Sequence, residues 1–324
     1  MKVEDIRRVA VLGAGIMGHG IAQCFAMGGY EVSLYDIGLD VLDNAMAHIR
    51  ENLNLFAQEG LIREDEIERA QSRIHPTLQL KKATQGAQFI VEASPEDLSL
   101  KQVLFEEVES YCSSETILAS NTSSLTLGDM GKRVKKRDRM VITHWFNPPH
   151  IVPTVEVVKG LHTSEQTFDT TFELHRRIRK RPVRLLKELP GFLVNRIQVA
   201  MVREVFDLYE KGIASAQDID EAIRGSIGFR LASIGPLLTA DLGGLQLWLR
   251  VCENLLSQIN NSMEPPRALK RLVDAGHDGI KSGKGFYDYQ VDFSKEQLDE
   301  VIQRRDREFI RRLKKLYWNS SQEQ

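Results

Sequence analysis

Three cysteines in 324 residues is few, and Cys24, Cys112 and Cys252 lie far apart with no C-x-x-C spacing. That excludes a disulfide framework and a cysteine zinc site, and no metal ligand set is expected. Buried, reduced thiols in a cytoplasmic protein fit better. Long hydrophobic runs are also missing. None is long enough to cross a bilayer, and the opening Met-Lys-Val-Glu-Asp-Ile-Arg-Arg is too charged for a secretory signal, so no membrane partner is expected. Charge of one sign is scarce: 43 basic against 45 acidic residues leave −2, and nothing global calls for nucleic acid. Basic runs at Lys132 to Arg139 and Arg176 to Arg184 read as solvated faces. Internal repeats and low-complexity segments are absent. What is present is ordinary globular composition, 42% hydrophobic and 27% charged, at a length that favours two domains.

The most informative stretch opens the chain: Val11-Leu-Gly13-Ala-Gly15-Ile16-Met17-Gly18-His-Gly-Ile-Ala. Arg8 to Leu12 reads as a short buried strand and His19 to Met27 as a helix, with G-x-G-x-x-G between them. The first glycine allows the tight turn, the second lets backbone approach a pyrophosphate, and the third lets helix and strand pack closely. The helix N-terminus offers free N–H groups to that pyrophosphate. Gly13, Gly15, Ile16, Met17 and Gly18 form the expected cofactor turn. Glu31 to Tyr35 is the next strand, ending at Asp36. A carboxylate there accepts hydrogen bonds from ribose hydroxyls and repels a 2′-phosphate, so the expected cofactor is NAD rather than NADP.

Strands and helices alternate up to Leu186. Leu39 to Glu59 and Glu64 to Ser72 read as a helical hairpin inserted in the nucleotide-binding domain. Further strands are expected at Gln88 to Glu92, Ile117 to Ser120, Met140 to Trp145, Thr154 to Val158 and Pro182 to Leu186. Helices are expected at Leu98 to Tyr111 and Ser164 to Arg179. Such alternation predicts an α/β, Rossmann-like, doubly wound parallel sheet. At Glu188-Leu-Pro190-Gly191 the pattern becomes helical: Phe192 to Lys211, Ala216 to Ser226, Pro236 to Leu255, Arg267 to Ala275 and Ser294 to Leu316. The expected division is 1–187, NAD-binding, and 188–324, an all-α domain for substrate and dimerisation. A crevice between two such domains is a natural ligand site.

Three segments carry candidate chemistry. Thr143-His144-Trp-Phe-Asn147-Pro-Pro149 leaves the end of a predicted strand, where open α/β sheets place ligands. Glu156 follows on the next strand, and a hairpin-like excursion returns it beside His144. A carboxylate on one imidazole nitrogen fixes the tautomer and leaves the other to take a hydroxyl proton. An isolated histidine is otherwise structural. Ser120-Asn121-Thr-Ser123-Ser-Leu follows another strand and reads equally as a helix cap or turn. Asn195 lies one turn into the first helix beyond Gly191, as a polar core residue or a group reaching toward substrate.

Together these segments resemble the L-3-hydroxyacyl-CoA dehydrogenase family over nearly the whole chain. The matching landmarks include Val91-Glu92-Ala93, Leu100-Lys101, Ser120-Asn-Thr-Ser123-Ser-Leu, His144-x-Phe-Asn147-Pro and Val155-Glu156-Val157-Val158. Pro190-Gly-Phe-x-Val-Asn195-Arg, Gly212-Ile-Ala-Ser-x-x-Asp218-Ile-Asp220 and Lys281-Ser-Gly-Lys-Gly-Phe-Tyr287 complete them. The resemblance implies reversible, NAD-dependent oxidation of an L-3-hydroxy group, as in fatty acid metabolism. It implies His144 as general base, Glu156 as its orienting carboxylate, and Ser123 and Asn195 on the reacting oxygen. Glu92, Lys101, Asn121 and Asn147 are assigned to the cofactor. A homodimer through the helical domain is implied as well, with a small-molecule substrate.

The chain departs from the acyl-CoA members in three places. Gly228-Phe-Arg230-Leu-Ala-Ser-Ile-Gly235-Pro236 stands where they have Pro-Met-Gly-Pro, Pro149 follows Asn147-Pro148, and a tail runs on through Arg304-Arg-Asp-Arg. All three are similar to the branch holding L-gulonate 3-dehydrogenase (lambda-crystallin) and carnitine 3-dehydrogenase. There Arg230 would clamp a substrate carboxylate; its alternative is a structural ion pair. The Leu39 to Ser72 hairpin, by contrast, resembles the element that cradles CoA. The first expectation is therefore a 3-hydroxyacyl-CoA, the second a free 3-hydroxy carboxylate, and the third a non-catalytic NAD-binding protein.

Overall fold

The structure, a computed structural model, describes residues 1–289 and 295–318. It divides into two units, Met1–Leu193 with Ile302–Gln324, and Val194–Val301.

In the first unit the order is β1 (Arg8–Leu12), α1 (Gly18–Met27), β2 (Glu31–Tyr35), α2 (Leu39–Gln58), α3 (Glu64–Gln71), β3 (Ile74–Thr77), α4 (Leu80–Thr84), β4 (Phe89–Glu92), α5 (Leu98–Tyr111), β5 (Ile117–Ser120), α6 (Leu127–Met130), β6 (Met140–Trp145), β7 (Thr154–Val158), α7 (Glu165–Arg177) and β8 (Arg181–Leu185). One sheet runs β3-β2-β1-β4-β5-β6-β7-β8. Its first six strands are parallel in the dinucleotide-binding order. Both faces are covered, so successive residues of one strand enter different cores. Val9, Val11, Phe89 and Val91 join one cluster, while Ala10, Leu12 and Ile90 join the other. That is why these strands read as unbroken apolar runs. Helix starts are set locally: the Asp97 and Ser164 side chains cap α5 and α7 by accepting from Leu100 N and Thr167 N.

Three expectations need correction here. The sheet is not wholly parallel, because β7 pairs antiparallel with β6 and carries β8 with it. The link from Trp145 to Thr154 has no crossover helix, and a parallel return needs a dozen or more residues. The strand Ile74-His-Pro-Thr was not expected; it is four residues long, and Pro76 is tolerated because β3 is an edge strand. The C-terminal helix α14 (Lys295–Leu313) passes from the second unit into the first at Ile302, so the tail does not belong wholly with the helical domain. Ile310 and Leu313 bury against Phe56, Leu61 and Ile151, and Arg307 and Arg311 pair with Glu59 at 3.4 and 3.0 Å. The expected start of that helix at Ser294 lies outside the described residues.

The second unit holds α8 (Val194–Glu210), α9 (Ala216–Ile223), α10 (Phe229–Leu231), α11 (Pro236–Gly243), α12 (Leu245–Leu255) and α13 (Arg267–Asp274). The single helix expected over Pro236 to Leu255 is broken at Gly244, whose φ of 88° ends one helix and starts the next. Among its described residues only Ala268 is buried, so this unit has almost no closed core of its own. No helix of the described residues is long and apolar enough to cross a membrane.

Candidate active site

Two close backbone approaches build the glycine turn. A Cβ on Gly18 would lie 1.7 Å from the Gly13 carbonyl oxygen, and one on Gly13 would meet the Ala93 oxygen at 2.5 Å. Neither position accepts a larger residue. A Cβ on Gly15 meets nothing within 4 Å, which leaves the room a pyrophosphate needs at the N-terminus of α1. Ile16 beside it is 73% exposed, with Met17 half-buried at the start of α1. Asp36 closes the turn. Its carboxylate accepts from Ala14 N at 2.8 Å, Ile37 N at 2.7 Å and Gly38 N at 3.2 Å, which aims it across the end of β1. Carboxylate oxygens can each accept more than one hydrogen bond, so ribose hydroxyls fit beside these donors. The turn fits a dinucleotide.

At the same edge of the sheet, β6 and β7 place His144 directly opposite Glu156. Nδ1 of His144 donates to Glu156 Oε2 at 2.7 Å, with both side chains buried. In the neutral imidazole this leaves the lone pair on Nε2, and the Ser123 hydroxyl lies 3.3 Å from that nitrogen. The imidazole is held between Phe146 and Phe192, ring centroids 4.7 and 5.3 Å away. Leu193 N donates to Glu156 Oε1 at 3.0 Å, so the same carboxylate also grips the segment leading out of the first unit.

Ser123 is exposed, on a loop set by a residue that the sequence reading missed. Glu96 Oε1 accepts from the Thr122 hydroxyl at 2.5 Å, from Ser123 N and Ser124 N at 3.1 Å, and from the Ser124 hydroxyl at 2.9 Å. Burial alone would raise its pKa. The Thr122 and Ser124 hydroxyls, the Lys101 ammonium and the Ser123 N–H outweigh burial and hold the carboxyl below its ordinary value. A carboxylate just past the end of β4, on the ligand edge of the sheet, was the available signal.

Glu92 and Lys101 differ from the cofactor-facing role assigned to them. They are buried against each other at 2.6 Å, and Glu92 also accepts from Ser94 N and from the Ser120 hydroxyl. With those oxygens enclosed, the pair braces the loops of Glu96 and Ser123. Asn121 Oδ1 accepts from Trp145 N at 2.9 Å, tying the ends of β5 and β6. Asn147 is exposed just beyond β6. Asn195 and Arg230 lie in the second unit, on α8 and α10. The Arg230 guanidinium makes no hydrogen bond or ion pair among the described residues. No group of three or more histidine, cysteine, aspartate or glutamate residues among the described ones could hold a metal ion.

Comparison with known proteins gives two consecutive matches. Residues 8–189 match the 3-hydroxyacyl-CoA dehydrogenase NAD-binding domain, and residues 191–289 match the C-terminal domain of the same family. The chain belongs to the 3-hydroxyacyl-CoA dehydrogenase family. It is an NAD-dependent oxidoreductase of the type that acts on CH–OH. A 3-hydroxybutyryl-CoA dehydrogenase of Clostridioides difficile is 35% identical over 283 residues, 87% of this chain and 99% of that protein. The human lambda-crystallin homolog is 36% identical over 235 residues, 72% of this chain and 74% of its own. Among solved structures, 5-formyl-3-hydroxy-2-methylpyridine 4-carboxylic acid 5-dehydrogenase, described as an NAD-dependent dismutase, superposes with a TM-score of 0.88 at 30% identity. That match covers 96% of this chain and 98% of the other.

Proposed function

We propose that this family member reversibly oxidises the hydroxyl of an L-3-hydroxyacyl-CoA to the 3-ketone, with His144 as the general base. The carrying observation is the imidazole fixed by Glu156 at Nδ1, with its free Nε2 facing Ser123. A hydroxyl placed at Nε2 gives up its proton there, while Ser123 donates a hydrogen bond to the same oxygen. Glu156 keeps the tautomer fixed and balances the imidazolium that forms. NAD, when bound, accepts the hydride at its nicotinamide. Gly13, Gly15, Ile16, Met17, Gly18 and Asp36 are proposed to hold it. Asn195 is proposed for the reacting oxygen on its motif alone.

A second reading, a free 3-hydroxy carboxylate, is favoured by one observation. At similar coverage, the dehydrogenase of a pyridine carboxylate superposes with a TM-score of 0.88 over 96% of this chain, against 0.64 over 95% for the 3-hydroxyacyl-CoA dehydrogenase of Archaeoglobus fulgidus. Arg230, whose guanidinium has no partner among the described residues, would receive that carboxylate. A panel of acetoacetyl-CoA with NADH, and of gulonate, carnitine and 3-hydroxybutyrate with NAD, separates the readings. Turnover of acetoacetyl-CoA alone supports the first, and turnover of a free acid that Arg230→Met abolishes supports the second. Silence on every substrate contradicts both.

The partner proposed for the second unit is another copy of this chain. Leu237, Leu242 and Leu245 are 83%, 72% and 63% exposed on α11 and α12, in a unit with almost no core. Apolar area of this kind marks an interface. A monomer in sedimentation equilibrium at micromolar concentration would contradict it.

A further inference from the structure

Away from the glycine turn and His144, the first unit contains a cavity of about 380 Å³. The end of α1, helix α3, the Ile151–Pro153 stretch, the α7–β8 turn and the end of the C-terminal segment enclose it. Its wall is strongly basic: Arg69, Arg73, Arg177, Arg179 and Lys180 face one carboxylate, Glu66. Two of these cations have counter-ions outside the cavity, Arg69 on Asp65 at 2.7 Å and Arg177 on Glu4. The other three have no carboxylate within 4 Å among the described residues. Arg73 donates to the Ala26 carbonyl at 3.3 Å, and Arg179 stacks on Trp318 at 4.7 Å. Lys180 is 6% exposed, with Nζ donating to the Pro149 and Val152 carbonyls at 2.5 and 2.9 Å. Beyond those carboxylates, Cys24 and His150 on the wall supply no negative charge. Burial pushes the Cys24 thiol up against the pull of Lys180, and burial pushes His150 down to about 3, so both are neutral at pH 7. Glu66 is engaged by Arg63 N at 2.9 Å. A buried ammonium without a counter-charge is costly to keep.

Arg179 adds an independent observation. Lys180 N donates to the His175 carbonyl at 2.9 Å and Arg179 N to the Arg176 carbonyl at 3.0 Å, the hydrogen bonds that close a helix on a left-handed residue. Arg179 sits there at φ 61°, where glycine is favoured. The backbone alone argues for glycine, yet the position carries a guanidinium on the cavity wall.

We propose that this cavity binds a small phosphate-bearing anion, with the phosphate among Lys180, Arg73 and Arg179. Three donors from two sides, Arg73 between α3 and β3 and the adjacent Arg179 and Lys180 of the α7–β8 turn, match the several oxygens of a phosphate better than the two of a planar carboxylate. Phe56, Leu313 and Trp318 offer an apolar wall to any organic part of the ligand.

Isothermal titration of the full chain, saturated with NADH to block the glycine turn, tests this with inorganic phosphate and with glycerol phosphate at constant ionic strength. One site per chain is expected, with tighter binding of the ester if the apolar wall contributes and equal binding if free phosphate is the ligand. Arg179→Gly is expected to fold with a Tm near that of the wild type and to lose affinity by ~10-fold or more, as is Arg73→Gln, since a charge-assisted hydrogen bond is removed. Absence of binding to either ligand, loss of binding when NADH is added, or unchanged affinity in both variants would overturn the proposal.

Discussion

Nδ1 of His144 donates to Oε2 of Glu156 at 2.7 Å across the antiparallel pair β6–β7, and both side chains are out of solvent. Glu156→Gln keeps the size but allows the amide to donate to Nδ1, which turns the proton onto Nε2 and removes the base. The expected loss in kcat is ~10²- to 10⁴-fold, the range of general acid–base catalysis, with NAD affinity unchanged. Steady-state kinetics alongside NADH fluorescence titration would show it; a full kcat would argue that Glu156 only packs.

The Asp36 carboxylate, just past β2, is held by three backbone N–H groups, Ala14 beyond β1 and Ile37 and Gly38 beyond β2. For Asp36→Ala we expect NAD to weaken by ~10- to 100-fold, the scale of one charged hydrogen bond, and the preference over NADP to vanish. Unchanged discrimination in paired titrations would place the ribose elsewhere.

Glu96 orders the loop of Ser123 without touching His144. In Glu96→Gln the acceptor of the Ser123 and Ser124 N–H groups loses its charge, and kcat is expected to fall ~10-fold or more at neutral pH, the scale of a charged hydrogen bond. Its lowered pKa means that its stabilising contribution is complete above the ordinary carboxylate pKa and lost as pH falls through the folded value. The variant should therefore lose less stability than the parent on acidification below about pH 4.3, the unfolded glutamate value. Identical acid profiles in urea unfolding would contradict this.

His175 lies among Phe25, Phe89 and Trp145. Burial, opposed by its hydrogen bond to the Thr171 carbonyl and reinforced by Lys180, pushes its pKa down to about 4. Between there and the unfolded value near ~6.5, only the unfolded chain binds the proton, so stability falls as pH falls through that window. His175→Phe should flatten the slope by up to ~1.4 kcal/mol per pH unit, read from urea unfolding at a series of pH values. Parallel slopes would show that His175 is protonated when folded.

What the sequence revealed and what it hid have physical causes. The glycine turn is legible because Gly18 and Gly13 approach too closely for any Cβ, a constraint written in residue type. The His144–Glu156 pair is legible because an excursion too short for a crossover forces an antiparallel return. The strand at Ile74–Thr77 was hidden by its length and by Pro76, which only an edge position explains. The inward turn of Glu92 and Lys101 depends on Ser94 and Ser120 being near, which no local pattern states. The tail reads as an amphipathic helix that either extends a dimer contact or packs on its own subunit; Arg307 and Arg311 reach Glu59 of the same chain, a pairing no local pattern states.

The central claim is that His144 Nε2 removes the substrate's proton. Stopped-flow NADH oxidation with acetoacetyl-CoA, or NADH formation with whichever 3-hydroxy acid the panel selects, compares wild type with His144→Gln. The account predicts a fall in the single-turnover rate of ~10²- to 10⁴-fold with the NADH dissociation constant unchanged. A variant that turns over at near the wild-type rate would contradict it.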